Sequence, residues 1–535
     1  MTERSEVFRA AANSISEGCT VLDEHILFRD GDKITVAVNR CRHQGGTFRL
    51  DADCLLCPRH SWRLDPRTMQ YINPAGMSHP TLNVQRDGSD IVASEVVSNH
   101  LWADLNQSPA PLRAGELTIK FLAHACAEIR CGSTRIVTDP WLVGPAFTRG
   151  WWLAHNPPTD WLDTLSEATA IYISHNHSDH LNPHTLKKLA AVQPEVPVFV
   201  PNFGSASCER LVRQTGLRNV VSVSFGVWHT LDSETRFMIL CDTAGREDSG
   251  ILIDFRGHLI LNTVDCSNLN NGVLPEKVDV LLTAFAGGAS GYPVCWGELY
   301  AVEEIRRRVA RNRASRVLNL KKMVHLVNPK IMIPFAGYFT EAHPADADIR
   351  ELNAKNSPEL AIAAAEQNPG TKGWLPIPGA TLDVSSGLAT SRDAPPPRLS
   401  WDDEFSTYIA PIDSSLHFVE LQHLDGVRRY FDWVGFRGDL VLHVIETDER
   451  FESQLREFFV DFRNGAVTGG APIGNYRYER MTVRATSFRH VLRTCEPWEE
   501  LSIGFQARFF RNPDKYNFDF WDHMQNNLLA GSPWR

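Results

Sequence analysis

The chain is poor in the features that would tie it to a membrane, a secreted scaffold or a nucleic acid. No run approaches the ~18 consecutive apolar residues of a membrane span. The opening Met1-Thr2-Glu3-Arg4-Ser5-Glu6 leads into no apolar core of signal-peptide length. Cysteine is scarce: eleven in 535 residues do not make a disulfide framework. These absences predict a reducing, cytoplasmic compartment, where clustered cysteines more often bind metal. Excess positive charge is missing too. Lys and Arg number 54 against 64 Asp and Glu, a net charge of −10, which argues against a general nucleic-acid surface. There is no internal repeat and no long low-complexity tract. What remains is ordinary globular material, 43% apolar and 22% charged, long enough for about three domains.

Residues 21–28 and 33–38 read as short strands around a turn at Gly31. Two motifs follow, Cys41-Arg42-His43-Gln44-Gly45-Gly46 and Cys57-Pro58-Arg59-His60-Ser61-Trp62. The pattern is Cys-x-His, thirteen residues, then Cys-x-x-His. Two thiolates on one iron and two imidazoles on the other define a Rieske [2Fe–2S] centre. The imidazoles raise the potential, so such a centre passes single electrons to an oxidising site. Gly45 and Gly46 let backbone amides approach the sulfurs. The rival is a structural zinc on Cys54, Cys57 and His60. Both loops resemble those of Rieske proteins, which makes Cys41, His43, Cys57 and His60 the implied cluster ligands and Cys54 a bystander. Residues 70–74 and 81–92 read as the closing strands of an all-β domain spanning 1–105. Asn106-Gln107-Ser108-Pro109-Ala110-Pro111 reads as a linker.

The densest chemistry lies in Ile173-Ser174-His175-Asn176-His177-Ser178-Asp179-His180-Leu181. It follows the apolar run Ala170-Ile171-Tyr172-Ile173 and precedes Asn182-Pro183, a helix cap and first turn. Three imidazoles and a carboxylate at a strand end make a metal site. Strands are expected at 117–122, 135–142, 237–240, 250–255, 258–264 and 278–285, and a helix at 301–317. That order fits sheets covered by helices. The segment 115–395 resembles the metallo-β-lactamase superfamily. The resemblance makes Asp139 a supporting aspartate, His175 and His177 ligands of a first metal, and Asp179 and His180 ligands of a second. It makes Asp265 a bridging carboxylate and His343 the last ligand. One ligand between the loop and Asp265 stays open: Asp242 at a strand end, His229, or none. A carboxylate there makes the site more iron-like. His124 and His258, isolated in the sequence, read as core or turn histidines.

Zinc and hydrolysis are the default for such a loop, but zinc has no redox chemistry and gives a Rieske cluster no acceptor. One or two non-haem irons that activate O2 do. The two modules together, with Gly257-His258-Leu259-Ile260-Leu261-Asn262-Thr263-Val264-Asp265-Cys266 and Pro334-Phe335-Ala336-Gly337-Tyr338-Phe339, resemble the CMP-N-acetylneuraminic acid hydroxylase family. That family inserts one oxygen atom of O2 into the N-acetyl methyl group of a CMP-linked sialic acid. The resemblance implies a nucleotide-sugar or amino-sugar substrate and NADH-derived electrons delivered by a reductase and cytochrome b5, or a ferredoxin-type carrier. The chain has no Gly-x-Gly-x-x-Gly, so that NAD(P)H-dependent reductase is expected to be a separate protein. A related enzyme would oxidise nitrogen in an amino sugar or a natural-product amine. Two other classes fit the motifs less completely: a zinc hydrolase with a regulatory Fe–S cluster, and a redox sensor in which neither site turns over.

Pro395-Pro396-Pro397 marks the next boundary. Beyond it, strands are expected at 440–446, 480–486 and 501–510 and a helix at 449–461, a small C-terminal α/β domain (396–535) with no chemistry of its own. Its role is a cover for the active site or an oligomer contact, so a homo-oligomer stays open. The expected fold is therefore multidomain: an all-β Rieske domain, an αββα metallo-β-lactamase-like sandwich and the C-terminal α/β unit.

Overall fold

β-Branched and aromatic residues crowd the N-terminal segment, and they pair as strands. The computed structural model describes residues 4–39, 47–57, 63–73, 78–96, 102, 105, 108–203, 205–244, 247–341, 343–389, 407–524 and 532–534. Described residues 4–96 form three small antiparallel sheets and one 3-10 turn. The expected strand 21–28 is in fact two, Gly18–Val21 and His25–Asp30, because Leu22-Asp23-Glu24 turns the chain back on itself. Lys33–Val38 then returns through a two-residue turn, for which Gly31 supplies a φ of 58°. Asn39 clamps the ends of the first Cys/His loop. Its Oδ1 accepts from Phe48 N at 2.7 Å and its Nδ2 donates to Leu22 O at 2.8 Å. Phe48 shares a small core with Cys57, Leu55 and Tyr71, so both motif loops spring from one packed base.

The central segment folds as two facing sheets. The first has eight strands, ordered Val220–Val223, Val198–Pro201, Ala170–Tyr172, Thr134–Thr138, Cys126–Cys131, Leu117–Ala123, Thr381–Asp383 and Leu388–Ala389. The second has seven, running from Trp228–Thr230 through Thr235–Cys241, Ser249–Phe255, His258–Asn262, Val280–Ala284 and Ile331–Phe335 to Lys372–Gly373. Phe121, Ile129, Ile239, Ile253 and Leu281 fill the space between them. Helices Pro183–Val192 and Ser207–Gln214 cover the first sheet, with Leu186, Leu189 and Val212 buried against it. Helices Val302–Val327 and Pro358–Ala365 cover the second through Leu320, Val324 and Ala361. This is an αββα sandwich. The helix expected at 301–317 continues to Val327, where Asn328 ends it in the left-handed conformation.

Beyond residue 407 a five-stranded sheet is ordered Ala466–Thr468, Gln454–Asp461, Val441–Thr447, Tyr478–Arg484 and Ala507–Asn512. The helix expected at 449–461 is the strand Gln454–Asp461. It pairs on both sides, and Phe458, Phe459 and Val460 are buried in it. The expected strands at 480–486 and 501–510 each change character. Helix Ala485–Thr494 begins where Tyr478–Arg484 ends, and helix Glu499–Ile503 precedes Ala507–Asn512. This unit shares a core with the sandwich: Trp141, Phe147, Trp151 and Phe339 pack with Phe488, Trp498 and Phe505. Buried charges cross the same boundary. Arg484 holds Asp346 through two bonds of 3.1 and 2.6 Å, both side chains fully buried. Arg149, equally buried, reaches Asp413 and Glu449 at 3.0 and 3.1 Å. The proline run at 395–397 and Asn106-Gln107 lie outside the described residues. No helix among the described residues is long and apolar enough to cross a membrane.

Candidate metal centre

Strand Ala170–Tyr172 lies parallel to Thr134–Thr138, so both deliver their following residues to one end of the sheet. Asp139 and the histidine loop therefore meet. Asp139 N donates to Tyr172 O at 2.9 Å. The Asp139 carboxylate accepts from Ser174 N at 2.7 Å and Ser174 Oγ at 2.8 Å. Tyr172 OH and Ser249 Oγ lie 2.8 Å apart, and Ser249 Oγ donates to Ser174 O at 2.7 Å, pinning the loop to the second sheet. The loop ends where Asn182 Oδ1 accepts from Thr185 N at 3.0 Å and Pro183 opens the helix.

Within this frame the imidazoles converge. His175 Nε2 and His177 Nδ1 face each other at 2.9 Å. His180 Nδ1 bonds Asp139 Oδ2 at 3.0 Å, which leaves its Nε2 pointing inward, 3.3 Å from Asp179 Oδ2 and 3.6 Å from Asp265 Oδ2. His124, just past strand Leu117–Ala123, brings Nε2 to 3.2 Å from Asp179 Oδ2. Two donor groups result, His124 with Asp179 and His180, and His175 with His180 and Asp265, each with its atoms within 4.8 Å of one another. Both nitrogens of His124, Asp179 Oδ1 and His180 Nε2 are buried without a hydrogen-bond partner. Buried polar atoms are rarely left so, and a cation would satisfy Asp179, His180 Nε2 and one nitrogen of His124 together. The donor set, imidazole plus carboxylate, suits zinc or iron.

Burial, then the neighbouring His180 and His177, pushes His175 well below the usual imidazole range, toward the neutral form that binds metal. Burial opposes charge on Asp179 and His180, but their mutual attraction outweighs it, holding Asp179 low and His180 high. Asp248 is pushed up to about 7 by burial and by the negative charges of Asp265 and Asp242. Its Oδ1 lies 3.4 Å from His175 Nδ1.

Other candidates are placed differently. Asp242 is not in either histidine group. Its carboxylate accepts from Ser267 N, Asn268 N and Ala244 N at 3.1, 2.9 and 3.2 Å and sits with Asp248 and Cys266. A carboxylate bonded to three amides is shaping its own loop. His229 stacks on Phe237 on an edge strand. His343 belongs to neither donor group; its Nδ1 accepts from Ala345 N at 3.1 Å and its Nε2 lies 3.4 Å from Glu449. His124, expected to be a core or turn histidine, joins the converging donors, and Asp248 and Glu499 were not among the expected site residues. The signal for His124 was its place at the end of an apolar strand on the same side as the loop. Glu499, whose Oε2 is 3.0 Å from His177 Nε2, comes from 322 residues away and had no local signal.

Of the other metal motif, Cys41, His43 and His60 lie outside the described residues. Cys57 is buried at the end of strand Cys54–Leu56. Cys54 faces the opposite turn, its Sγ 3.3 Å from Asp51 O. Three residues of extended chain, about 10 Å, separate the two, which does not suit a shared zinc.

A family model described as a β-lactamase superfamily domain matches residues 118–336. The cytidine monophosphate-N-acetylneuraminic acid hydroxylase of Mus musculus is 38% identical over 533 residues, covering 95% of this chain and 92% of that one. The Macaca mulatta hydroxylase is 39% identical over 537 residues, covering 96% and 90%. Among solved structures the chain is similar to CmlA, a diiron β-hydroxylase from Streptomyces venezuelae, with 19% identity, a TM-score of 0.35, and 52% and 55% of the two chains covered. Because the match to the curated hydroxylases runs almost end to end at this identity, the chain belongs to the cytidine monophosphate-N-acetylneuraminic acid hydroxylase family.

Proposed function

We propose that this protein is a Rieske-dependent non-haem iron monooxygenase that hydroxylates the N-acetyl methyl group of a CMP-linked sialic acid. The observation that carries the reading is the convergence of buried, unpartnered donors from His124, Asp179 and His180 beside His175 and Asp265, in a chain so similar to hydroxylases along its length. The overall change is C–H to C–OH. One atom of O2 enters the substrate and the other leaves as water, with two electrons and two protons consumed.

The chain's residues divide the work. His175, His177, Asp179, His180, Asp265 and His124 would hold one or two irons. Iron held there would supply one-electron redox chemistry toward O2, which zinc would not. Asp139 fixes the His180 tautomer by accepting from Nδ1, so Nε2 stays free for metal. Cys41, His43, Cys57 and His60 would hold a [2Fe–2S] cluster that supplies single electrons. The Asn39–Phe48 clamp and the buried Cys57 keep the two loop bases together for it. A separate NAD(P)H-dependent reductase, through a cytochrome b5 or ferredoxin, delivers the electrons.

The test is direct. Dithionite-reduced protein should show a Rieske EPR signal and contain additional iron. With a reductase system and 18O2, CMP-N-acetylneuraminate should gain one labelled oxygen. Cys41→Ala should abolish the reaction. Zinc in the histidine loop of protein purified without added metal, together with turnover that needs no O2, would sink the proposal in favour of hydrolysis.

A further inference from the structure

The C-terminal unit contributes a side chain to the metal centre. Helix Glu499–Ile503 packs onto the histidine loop and presents two adjacent carboxylates. Glu499 Oε2 lies 3.0 Å from His177 Nε2. Glu500 accepts from Thr148 N at 2.6 Å, and Phe147 N, next in line, donates to Ser178 Oγ at 2.6 Å. The helix is held there without slack. A Cβ added at Gly150 would collide with the Gly504 carbonyl, one at Gly504 with the Phe147 carbonyl, and one at Gly291 with the Ser502 carbonyl. Trp151 Nε1 also donates to Ile503 O at 2.9 Å.

His177 has two ring nitrogens and they face different ways. Nδ1 meets His175 Nε2 at 2.9 Å, at the point where both rings converge. Nε2 meets Glu499. A neutral imidazole, the form that binds metal, leaves its Nδ1 lone pair open when it donates Nε2–H to a carboxylate. We infer that Glu499 is a positioning residue: it fixes the His177 tautomer and ring plane so that Nδ1 is the metal-binding atom. The C-terminal unit is then part of the metal centre rather than a cover over it. The inference rests on His177 being a metal ligand, as proposed above.

The experiment uses the full chain, stripped of metal at the histidine loop and reconstituted with Co2+. Affinity is read by competition with a chromophoric chelator and coordination by the visible ligand-field bands. Glu499→Ala should weaken Co2+ binding about 10–100-fold and shift the bands. Glu499→Gln keeps an acceptor and should recover part of both, and it carries the test should the alanine variant fail to fold. In a His177→Ala background, Glu499→Ala should cost nothing further. Unchanged affinity and spectrum in Glu499→Ala would overturn the inference. So would an equal loss in the His177→Ala background, which would mean the effect is structural. A wild-type protein that takes up no Co2+ at the loop would overturn the metal-site reading itself, a result distinct from either.

Discussion

His180 and His177 belong to one loop, yet different parts of the molecule hold them. His180 is braced by Asp139, which follows the neighbouring parallel strand, 41 residues earlier. Both side chains are fully buried. His177 is braced by Glu499, and there the His is 25% and the Glu 35% exposed. The first brace comes with the fold, since any chain that pairs Thr134–Thr138 with Ala170–Tyr172 puts Asp139 under the loop. The second exists only once the C-terminal unit has docked. The proposed metal centre would thus have one half set by sheet pairing and one half set by assembly of two units.

The largest expected effect comes from breaking that assembly. Arg484 spans it, bonded to Asp346 from the sandwich and to Glu449 O at 2.9 Å and Gln506 within its own unit. Arg484→Ala leaves Asp346 buried without its main partner, so stability should fall by about 3–5 kcal/mol. Urea unfolding is the measure. If the two braces differ as argued, the same variant should loosen the His177 side first, seen as a shift in the Co2+ bands before global unfolding. Simultaneous loss of both sides would erase the distinction.

Asp139→Ala attacks the other half and should have the next largest effect. It frees His180 Nδ1 and leaves Ser174 N and Oγ without their acceptor. Loss of such a supporting carboxylate should weaken metal binding about 10–100-fold, read by chelator competition. Removing Asp139 should leave the contact of Glu499 with His177 in place, so the Asp139→Ala and Glu499→Ala effects should add.

The same contrast explains what could be read from the chain. The loop, its helix cap at Asn182 and Pro183, and Asp139 were legible because strand, turn and cap signals act over a few residues. The two-sheet architecture was legible for the same reason, since its strands are short apolar runs between turns. His124 was not, because a lone histidine after a strand looks the same whether or not another loop folds over it. Asp242 was offered, beside His229, because it ends a strand, but its carboxylate faces the amides of residues 244, 267 and 268, while Asp248, which had no such local signal, faces His175. Residues 449–461 looked helical by composition, and pairing with strands on both sides overrode that preference. Glu499 lay beyond reach altogether, since the nearest sequence signal to it is 322 residues away.

The smallest effect on the metal centre should come from Glu479, and it separates stability of the C-terminal unit from the brace that unit supplies. Glu479 lies on strand Tyr478–Arg484, buried, beside Arg511 across the pair. Burial pushes its carboxyl up to about 7 from the ordinary 4.5, and Arg511 only partly opposes this. An acid whose value is raised on folding stays protonated in the fold while the unfolded chain has already released its proton. Stability therefore declines as pH rises from about 4.5 to about 7 and levels off above that. Glu479→Gln should remove the decline and make the protein more stable at pH 8 by up to about 3 kcal/mol, measured by urea unfolding across that range. Glu479 makes no contact with the histidine loop through its own strand pairing, so Co2+ affinity and ligand-field bands should not move. If they do, the set of the C-terminal sheet, and not the Glu499 contact alone, governs His177, and the two halves of the centre are not independent.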